Sequence, residues 1–174
     1  MEKNILLEAK QEFDTLISSF SSIQIASVDE NGLPEVSYSP SVLDNYNNFY
    51  VYVSELSQHT ENMLNNCNVS LMIIEDETLS EIIFARKRVT FSCQAIPLKR
   101  DTEDWLDIMN RFQEKFGPMM KQLIKMKDFH LIKLKPSFGR LVYGFGKAFD
   151  IQGNNMDDIV HVKGFNQKGH KMGE

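Results

Sequence analysis

Apolar residues recur at helical spacing over the first 20 positions of the chain. Glu and Lys fill the positions between Ile5, Leu6, Ala9, Phe13, Leu16, Ile17 and Phe20, as in an amphipathic helix. The period then changes to two, because SIQIASVD and EVSYSP both alternate apolar and polar residues. Between them, Asn31-Gly32 tolerates positive φ and Pro34 closes the loop. This part of the chain therefore predicts a helix followed by a β-hairpin.

The remaining chain alternates between strand-like and helix-like segments. Strands are predicted for FYVYVS, CNVSLMIIED, FARKRVTFSCQAIPL, DFHLIKLKPS and GRLVYGFGKAFDIQ. A short helix is predicted over 57–66, capped by Ser57. The clearest helix is DTEDWLDIMNRFQEKFG, which Asp101 or Thr102 caps and Gly117-Pro118 ends. A shorter helical stretch, PMMKQLIKMK, follows it.

The predicted elements favour an α+β fold. Six or seven strands neighbour each other in sequence, and three or four helices lie around them, so an antiparallel β-barrel with peripheral helices is preferred to an alternating βαβ sheet. The length of 174 residues suits one domain. We predict a domain over 1–153 and, because residues 154–174 are polar and weakly patterned, a C-terminal tail or lid of that same domain.

Composition excludes several functional classes. A net charge of −5 argues against general nucleic-acid binding, which would require a clustered basic face. No apolar run approaches the roughly 20 residues of a membrane-spanning helix, and the N-terminus lacks the features of a secretory signal. Cys67 and Cys93 are too few and too far apart for a zinc ribbon or a redox pair, so we expect two buried, non-nucleophilic thiols in a reduced cytoplasmic protein.

Four widely spaced histidines argue against a locally assembled metal site: His59, His130, His161 and His170. His170 lies between Gly169 and Lys171 in the polar tail, and two interpretations are open. It is either a solvated tail histidine or an axial ligand to a cofactor iron, for which imidazole is the common protein ligand. Such a ligand requires an acceptor on its other ring nitrogen.

Three further features have both a structural and a functional interpretation. Asp128, which begins the predicted strand DFHLIKL, is either a strand-start or turn residue or that acceptor. Arg86-Lys87-Arg88 is either a charged strand edge, with Arg86 and Arg88 on one face, or a site for phosphate or haem propionates. His59, in the first turn of its helix, is either a surface residue or borders a ligand pocket. The glycines of the YGFG segment 143–146 suggest a bulge or a close backbone approach within a strand.

The passages IASVDENGLPEVSYSP, SLMIIEDET, FARKRVTF and YGFGKAF, with the Gly-His of the tail, resemble the haem-utilisation proteins of the HugZ/HutZ type. These proteins belong to the FMN-binding split-barrel superfamily, which includes the pyridoxamine-phosphate oxidases. The resemblance runs from about residue 14 to the C-terminus. The first passage is common to many split barrels and identifies the fold, whereas the others are more specific to the haem branch.

The resemblance implies a homodimer of split β-barrels that holds haem, and not flavin, at the subunit interface. The family's axial histidine maps onto His170 and its partner carboxylate maps onto Asp128, donated across the dimer. The arginine near the distal side or the propionates maps onto Arg88, with Arg86 beside it. A family histidine at the start of the short helix maps onto His59.

The expected activity is oxidative opening of the haem ring, which releases iron for nutrition. It implies an external electron donor, and we expect a reductase or a haem-delivery protein as partner because no flavin or nicotinamide motif is evident. Two alternatives are retained. One is a haem trafficking or storage protein without turnover, and the other is an FMN-dependent oxidoreductase whose phosphate is held by the basic triplet 86–88.

Overall fold

The computed structural model describes residues 2–162, which form four helices and eight strands. The helices are α1 (Glu2–Ser19), α2 (Gln58–Asn65), α3 (Glu103–Phe116) and the short α4 (Met120–Leu123). The strands are β1 (Ser22–Val28), β2 (Pro34–Leu43), β3 (Phe49–Ser54), β4 (Asn68–Ile74), β5 (Arg88–Leu98), β6 (Phe129–Val142), β7 (Ala148–Gln152) and β8 (Asp158–His161).

Six of the strands close into a barrel. The order is β3-β2-β1-β4-β5-β6, and β6 pairs back onto β3, while β7 and β8 extend the sheet beyond β6. Every pairing is antiparallel. The 14-residue β6 has room for three partners, because it begins opposite β3 at Phe129 and ends opposite β7 at Val142. The predicted antiparallel barrel with peripheral helices is confirmed.

The barrel interior is filled mainly by aromatic and β-branched side chains, and α1 adds to this core. Phe13 of α1 meets Phe91 of β5 edge to face at 6.3 Å, and Phe20 lies 5.7 Å from Phe49, measured between ring centroids. The apolar residues at helical spacing in α1 are therefore the ones that face the barrel. Burial of such rings is the main stabilising contribution to the fold.

A second apolar cluster lies outside the barrel, where α3 and α4 cover β3. Tyr50 and Tyr52 point outward from β3 and pack against α3 residues that include Trp105 and Phe112, so β3 is buried on both faces. Thr102 caps α3 by accepting a hydrogen bond from the Trp105 amide at 3.3 Å. Among residues 2–162, no helix combines the length and hydropathy that a membrane crossing demands.

Three sequence predictions about strands are wrong. Arg86 and Lys87 precede β5, which begins only at Arg88, because the chain first forms a 3₁₀ turn over Ile83–Ala85. The break expected between the strands DFHLIKLKPS and GRLVYGFGKAFDIQ is absent, since β6 runs from Phe129 to Val142 and passes through Pro136 near a register shift between Ser92 and Cys93 on β5. Proline is tolerated at such irregularities. The four-residue β8, within the segment expected to be unpatterned, was not predicted.

Three local expectations are also corrected. Residues 143–147 form the turn between β6 and β7, not a strand interior, with Gly146 at φ +68°. Ser57 occupies the N-cap position of α2, but its side chain makes no capping hydrogen bond. Cys67 is exposed and only Cys93 is buried. Burial raises the pKa of the Cys93 thiol to about 12, which suits a core residue and not a nucleophile.

Candidate functional site

Asp128 is a half-buried carboxylate fixed just before β6. The Ser54 hydroxyl donates a hydrogen bond of 3.0 Å to its Oδ2 atom. The Glu55 amide donates to the Asp128 carbonyl at 2.9 Å, which joins the end of β3 to the start of β6. Among the described residues no donor reaches Oδ1. Asp128 is therefore oriented and has one oxygen available as an acceptor.

His130, two residues further along β6, forms a second polar pair at this end of the barrel. Its Nε2 atom lies 2.7 Å from Oε1 of Glu55. The pair was not predicted, because Glu55 and His130 are 75 positions apart and meet only through the pairing of Val53 with His130. Local alternation identifies each strand, whereas the pairing of β3 with β6 joins segments distant in sequence through closure of the barrel.

His59, in the first turn of α2, is buried. Only 8% of the residue is exposed, and its Nε2 atom has no hydrogen-bond partner in the part of the chain described. Burial lowers its pKa, and the charge of Glu35 only partly opposes this, so the ring is neutral at pH 7. The Thr60 hydroxyl donates to the Ser54 carbonyl at 2.6 Å. This contact places α2, and with it His59, at the same end of the barrel as Asp128.

The side chains of Arg86 and Lys87 already bind partners within the chain. The Arg86 guanidinium donates to the Glu75 carbonyl at 2.8 Å and to the Glu77 carboxylate at 3.3 Å. The Lys87 ammonium lies 2.8 Å from the carboxylate of Glu12 on α1. The expectation that Arg86 and Arg88 share one strand face is therefore wrong, since Arg86 lies outside the strand and its guanidinium holds the preceding loop.

Arg88 differs from its two neighbours. It is the first residue of β5, opposite Ile74 of β4 and Val142 of β6. Its guanidinium donates to the Arg86 carbonyl at 2.8 Å, and within residues 2–162 no carboxylate lies within 4.0 Å of it. Of the basic triplet, Arg88 is the cation left to meet an external anion.

Asp128 and Arg88 lie at opposite ends of β6. Thirteen strand steps separate Phe129 from Val142, a path of roughly 40 Å. The described chain ends at the Arg88 end, where the Val162 amide donates to the Ala148 carbonyl at 2.9 Å and Ala148 pairs with Val142. Asp128 and the helix that carries His59 thus both contact Ser54 at one end of the barrel, and Arg88 lies at the other end. His170 lies outside the described residues.

No three His, Cys, Asp or Glu side chains within residues 2–162 cluster as a directly bound metal ion would require. The candidate polar groups are the oriented carboxylate of Asp128 and the neutral, buried imidazole of His59. At the other end of β6 is the guanidinium of Arg88, with which no carboxylate of the described chain pairs. Arg88 alone suits charge pairing with an anionic ligand, whereas Asp128 offers a hydrogen-bond acceptor.

Comparisons with known proteins agree with the fold. Residues 9–143 match the family model described as pyridoxamine 5'-phosphate oxidase. The chain is 39% identical over 164 residues to a Vibrio cholerae protein named haem oxygenase HutZ, and the match covers 94% of this chain and 86% of that protein. The resemblance noted in the sequence is therefore confirmed.

Two solved structures are similar to the whole fold. That of Campylobacter jejuni ChuZ gives a TM-score of 0.78 at 35% identity and covers 88% of this chain, which itself spans 61% of that structure's length. The structure of Vibrio cholerae HutZ, described as a haem storage protein, gives a TM-score of 0.73 at 34% identity and covers 78% of this chain and 96% of that one. The chain therefore belongs to the HugZ/HutZ-type family of split-barrel proteins, within the larger pyridoxamine 5'-phosphate oxidase family.

Proposed function

We propose that this protein binds haem and opens the porphyrin ring, releasing iron for nutrition. The observation that carries the proposal is the 39% identity, over nearly the whole chain, with a protein named as a haem oxygenase. The site chemistry is compatible with it, since haem is an apolar plane with two carboxylates and an iron that accepts imidazole.

In this proposal His170 is the axial ligand to the iron and Asp128 is its hydrogen-bond partner. A ligating histidine donates its other ring N–H to a carboxylate or carbonyl, which fixes the tautomer and makes the ligating nitrogen more basic. Asp128 suits this task because Ser54 holds one of its oxygens at 3.0 Å and the other accepts no hydrogen bond from the described chain.

The geometry supports supplying Asp128 from a second subunit. The described chain ends beside the last residues of β6, because the Val162 amide donates to the Ala148 carbonyl and Ala148 pairs with Val142. Asp128 precedes the first residue of that strand. The tail therefore starts at the end of β6 that is far from Asp128 of its own subunit, and a homodimer can bring it to the Asp128 of the other.

The outer face of the barrel offers a surface for that dimer. One row across five strands consists of exposed side chains: Val36, Ala26, Ser70, Ser92 and Phe138. Val36 is 77% exposed and Tyr38, two positions along β2, is 68% exposed. Small residues between larger apolar ones allow close approach of a second sheet, and exposed apolar patches commonly mark interfaces.

Arg88 and His59 complete the proposed site. Arg88 supplies a positive charge to a haem propionate, because no carboxylate of the described chain neutralises it. His59 borders the pocket as a neutral ring with a free Nε2 atom. Arg86 takes no direct part, since its guanidinium is used by Glu75 and Glu77.

When bound, haem supplies the oxygen chemistry at its own iron with electrons from outside. The chain's contribution is to orient the ring, fix the axial imidazole and exclude water. A reductase or a haem-delivery protein is the proposed partner.

Storage without turnover is the second candidate, favoured by the description of the HutZ structure as a haem storage protein. A flavin enzyme is less well supported. Two of the three cations considered for the FMN phosphate, Arg86 and Lys87, are already paired within the chain.

The test is the absorption spectrum of the purified protein with added hemin, repeated after a reductant is added in air. The oxygenase proposal expects a Soret band that then bleaches. A band that persists after reduction in air supports storage, and a protein that produces no haem band contradicts both. His170→Ala should alter the band, and an unchanged spectrum would contradict the ligand assignment.

A further inference from the structure

The loop between β4 and β5, residues 75–87, is ordered by its own hydrogen bonds. The Glu75 amide donates to the Lys87 carbonyl at 3.0 Å, and the Lys87 amide donates to Oε1 of Glu75 at 2.8 Å. Arg86 adds its contacts to the Glu75 carbonyl and the Glu77 carboxylate. Asp76 caps the first turn by accepting from the Thr78 amide at 2.8 Å. The loop therefore has its shape before any ligand binds.

This loop presents an apolar crest to solvent, which we define as Leu79, Ile82, Ile83 and Phe84. Their exposed fractions are 75%, 47%, 52% and 87%. A single exposed apolar residue requires no explanation, but four large ones within six positions form a patch. The neighbouring Ala85 is buried and contributes to anchoring the loop. The hydrogen bonds hold the two ends of the loop together, and the crest lies between them.

The crest lies next to Arg88, a cation that forms no ion pair within the described chain. Phe84 precedes Arg88 by four positions, and the Arg88 guanidinium turns back to the Arg86 carbonyl at the base of the loop. An apolar surface next to one free guanidinium matches a flat apolar ligand with carboxylates at its edge. Of the nearby carboxylates, Glu77 is paired with Arg86 and Glu81 is the one acidic residue within the crest.

We propose that the crest is an apolar wall of the porphyrin site and that Phe84 is a positioning residue which packs against the ring. This inference rests on the proposed function and deepens it. It also explains the contacts of Arg86 with Glu75 and Glu77. Arg86 then orders the loop that carries the crest, while Arg88 binds the carboxylates of the porphyrin. Phe84 makes no bond to iron, so its contribution does not depend on the metal.

The test is titration of the haem-free protein with hemin and, separately, with metal-free protoporphyrin IX. Phe84→Ser is compared with Tyr46→Ser, an exposed aromatic on the β2–β3 turn, and with His170→Ala. Phe84→Ser should weaken binding of both porphyrins roughly tenfold or more, the effect of uncovering one apolar side chain. Tyr46→Ser should leave both affinities unchanged. His170→Ala should weaken hemin far more than protoporphyrin.

Equal porphyrin affinities for Phe84→Ser and the wild type would overturn the inference while leaving the proposed function intact, provided that the wild type binds hemin. Loss of the dimer by Phe84→Ser, measured by sedimentation, in proportion to the loss of binding would also overturn it, because the crest would then be a subunit contact. Ile83→Ser serves as a second variant should Phe84→Ser fail to fold.

Discussion

The Ser54 hydroxyl and the Asp128 carboxylate are joined by a hydrogen bond of 3.0 Å across the β3–β6 pairing that closes the barrel. This contact fixes the carboxylate in a position that depends on the closure of the sheet. It links the fold to the proposed haem site, because the same closure that makes the barrel aims one oxygen of Asp128 outward.

Asp128→Asn tests the role of the carboxylate. Asparagine retains an acceptor but loses the negative charge, so the axial imidazole becomes less basic. We expect haem still to bind, with turnover lowered roughly 10- to 100-fold, the usual effect of losing such a partner. The iron–histidine stretching band in resonance Raman spectra should shift to lower frequency. Asp14→Asn, an exposed charge change on α1, is the control and should change neither quantity.

Arg86→Ala and Arg88→Ala should have different effects. If Arg86 orders the loop, its loss increases amide hydrogen exchange over residues 77–85, because its contacts to Glu75 and Glu77 disappear. Arg88→Ala should weaken porphyrin binding with a much smaller change in exchange over the loop. Arg140→Ala, which removes the ion pair with Asp150 and a contact over the Phe138 ring but nothing in the loop, is the control. Unchanged exchange in Arg86→Ala would contradict the anchoring role.

His59 should make the haem-free protein less stable as the pH falls. Burial lowers its folded-state pKa below the ordinary value of 6.5. Below about pH 6.5 the unfolded chain therefore takes up a proton that the folded chain does not, and stability is lost at up to about 1.4 kcal/mol per pH unit until the folded-state pKa is reached. Above about pH 6.5, His59 adds no pH dependence to the free energy of unfolding.

Urea unfolding at pH 7.5 and 5.5 measures this effect. His59→Gln should lose less stability than the wild type over that interval, and His161→Gln, which changes a partly exposed histidine, should follow the wild type. The same pH dependence in wild type and His59→Gln would show that the buried ring is not the responsible group.

Gly139→Ala should destabilise the barrel. A Cβ atom there would lie 2.7 Å from two ring atoms of Phe91 and 3.1 Å from Cβ of Ile151. The Phe91 ring has little room to move, since it packs against Phe13 and Phe49. We expect a loss of roughly 1–3 kcal/mol in the free energy of unfolding. Ser137→Ala, two positions away and exposed, should be close to neutral, and equal stabilities for the two variants would contradict the packing argument.

Local sequence patterns predicted the elements that depend on local chemistry. Thr102 caps α3 and Gly117, at φ +72°, follows its last residue, as predicted from the cap and glycine rules. The turn before β5 could not be predicted, because it depends on Arg86 reaching Glu75, 11 positions earlier. The sequence divided β6 into two strands after Ser137, whereas the structure has one continuous strand with a register shift on the neighbouring β5.

The candidate site was predicted by resemblance more than by pattern. Asp128, His59 and Arg88 were named individually, but their separation along β6 follows from strand register, which the pattern does not contain. The pairing of His130 with Glu55 was not foreseen for the same reason. The apolar crest was not foreseen because it lies in a loop. Exposure of Phe84 is visible only once the loop is folded.

The central claim is that one subunit provides His170 and the other provides Asp128, and the most direct measurement mixes two defective variants. His170→Ala and Asp128→Asn are unfolded together in equal amounts, refolded and loaded with haem. In a shared site the mixed dimers have one site with both changes and one intact site, so about a quarter of all sites should recover the wild-type iron–histidine Raman band. A spectrum equal to the average of the two parents would contradict the claim.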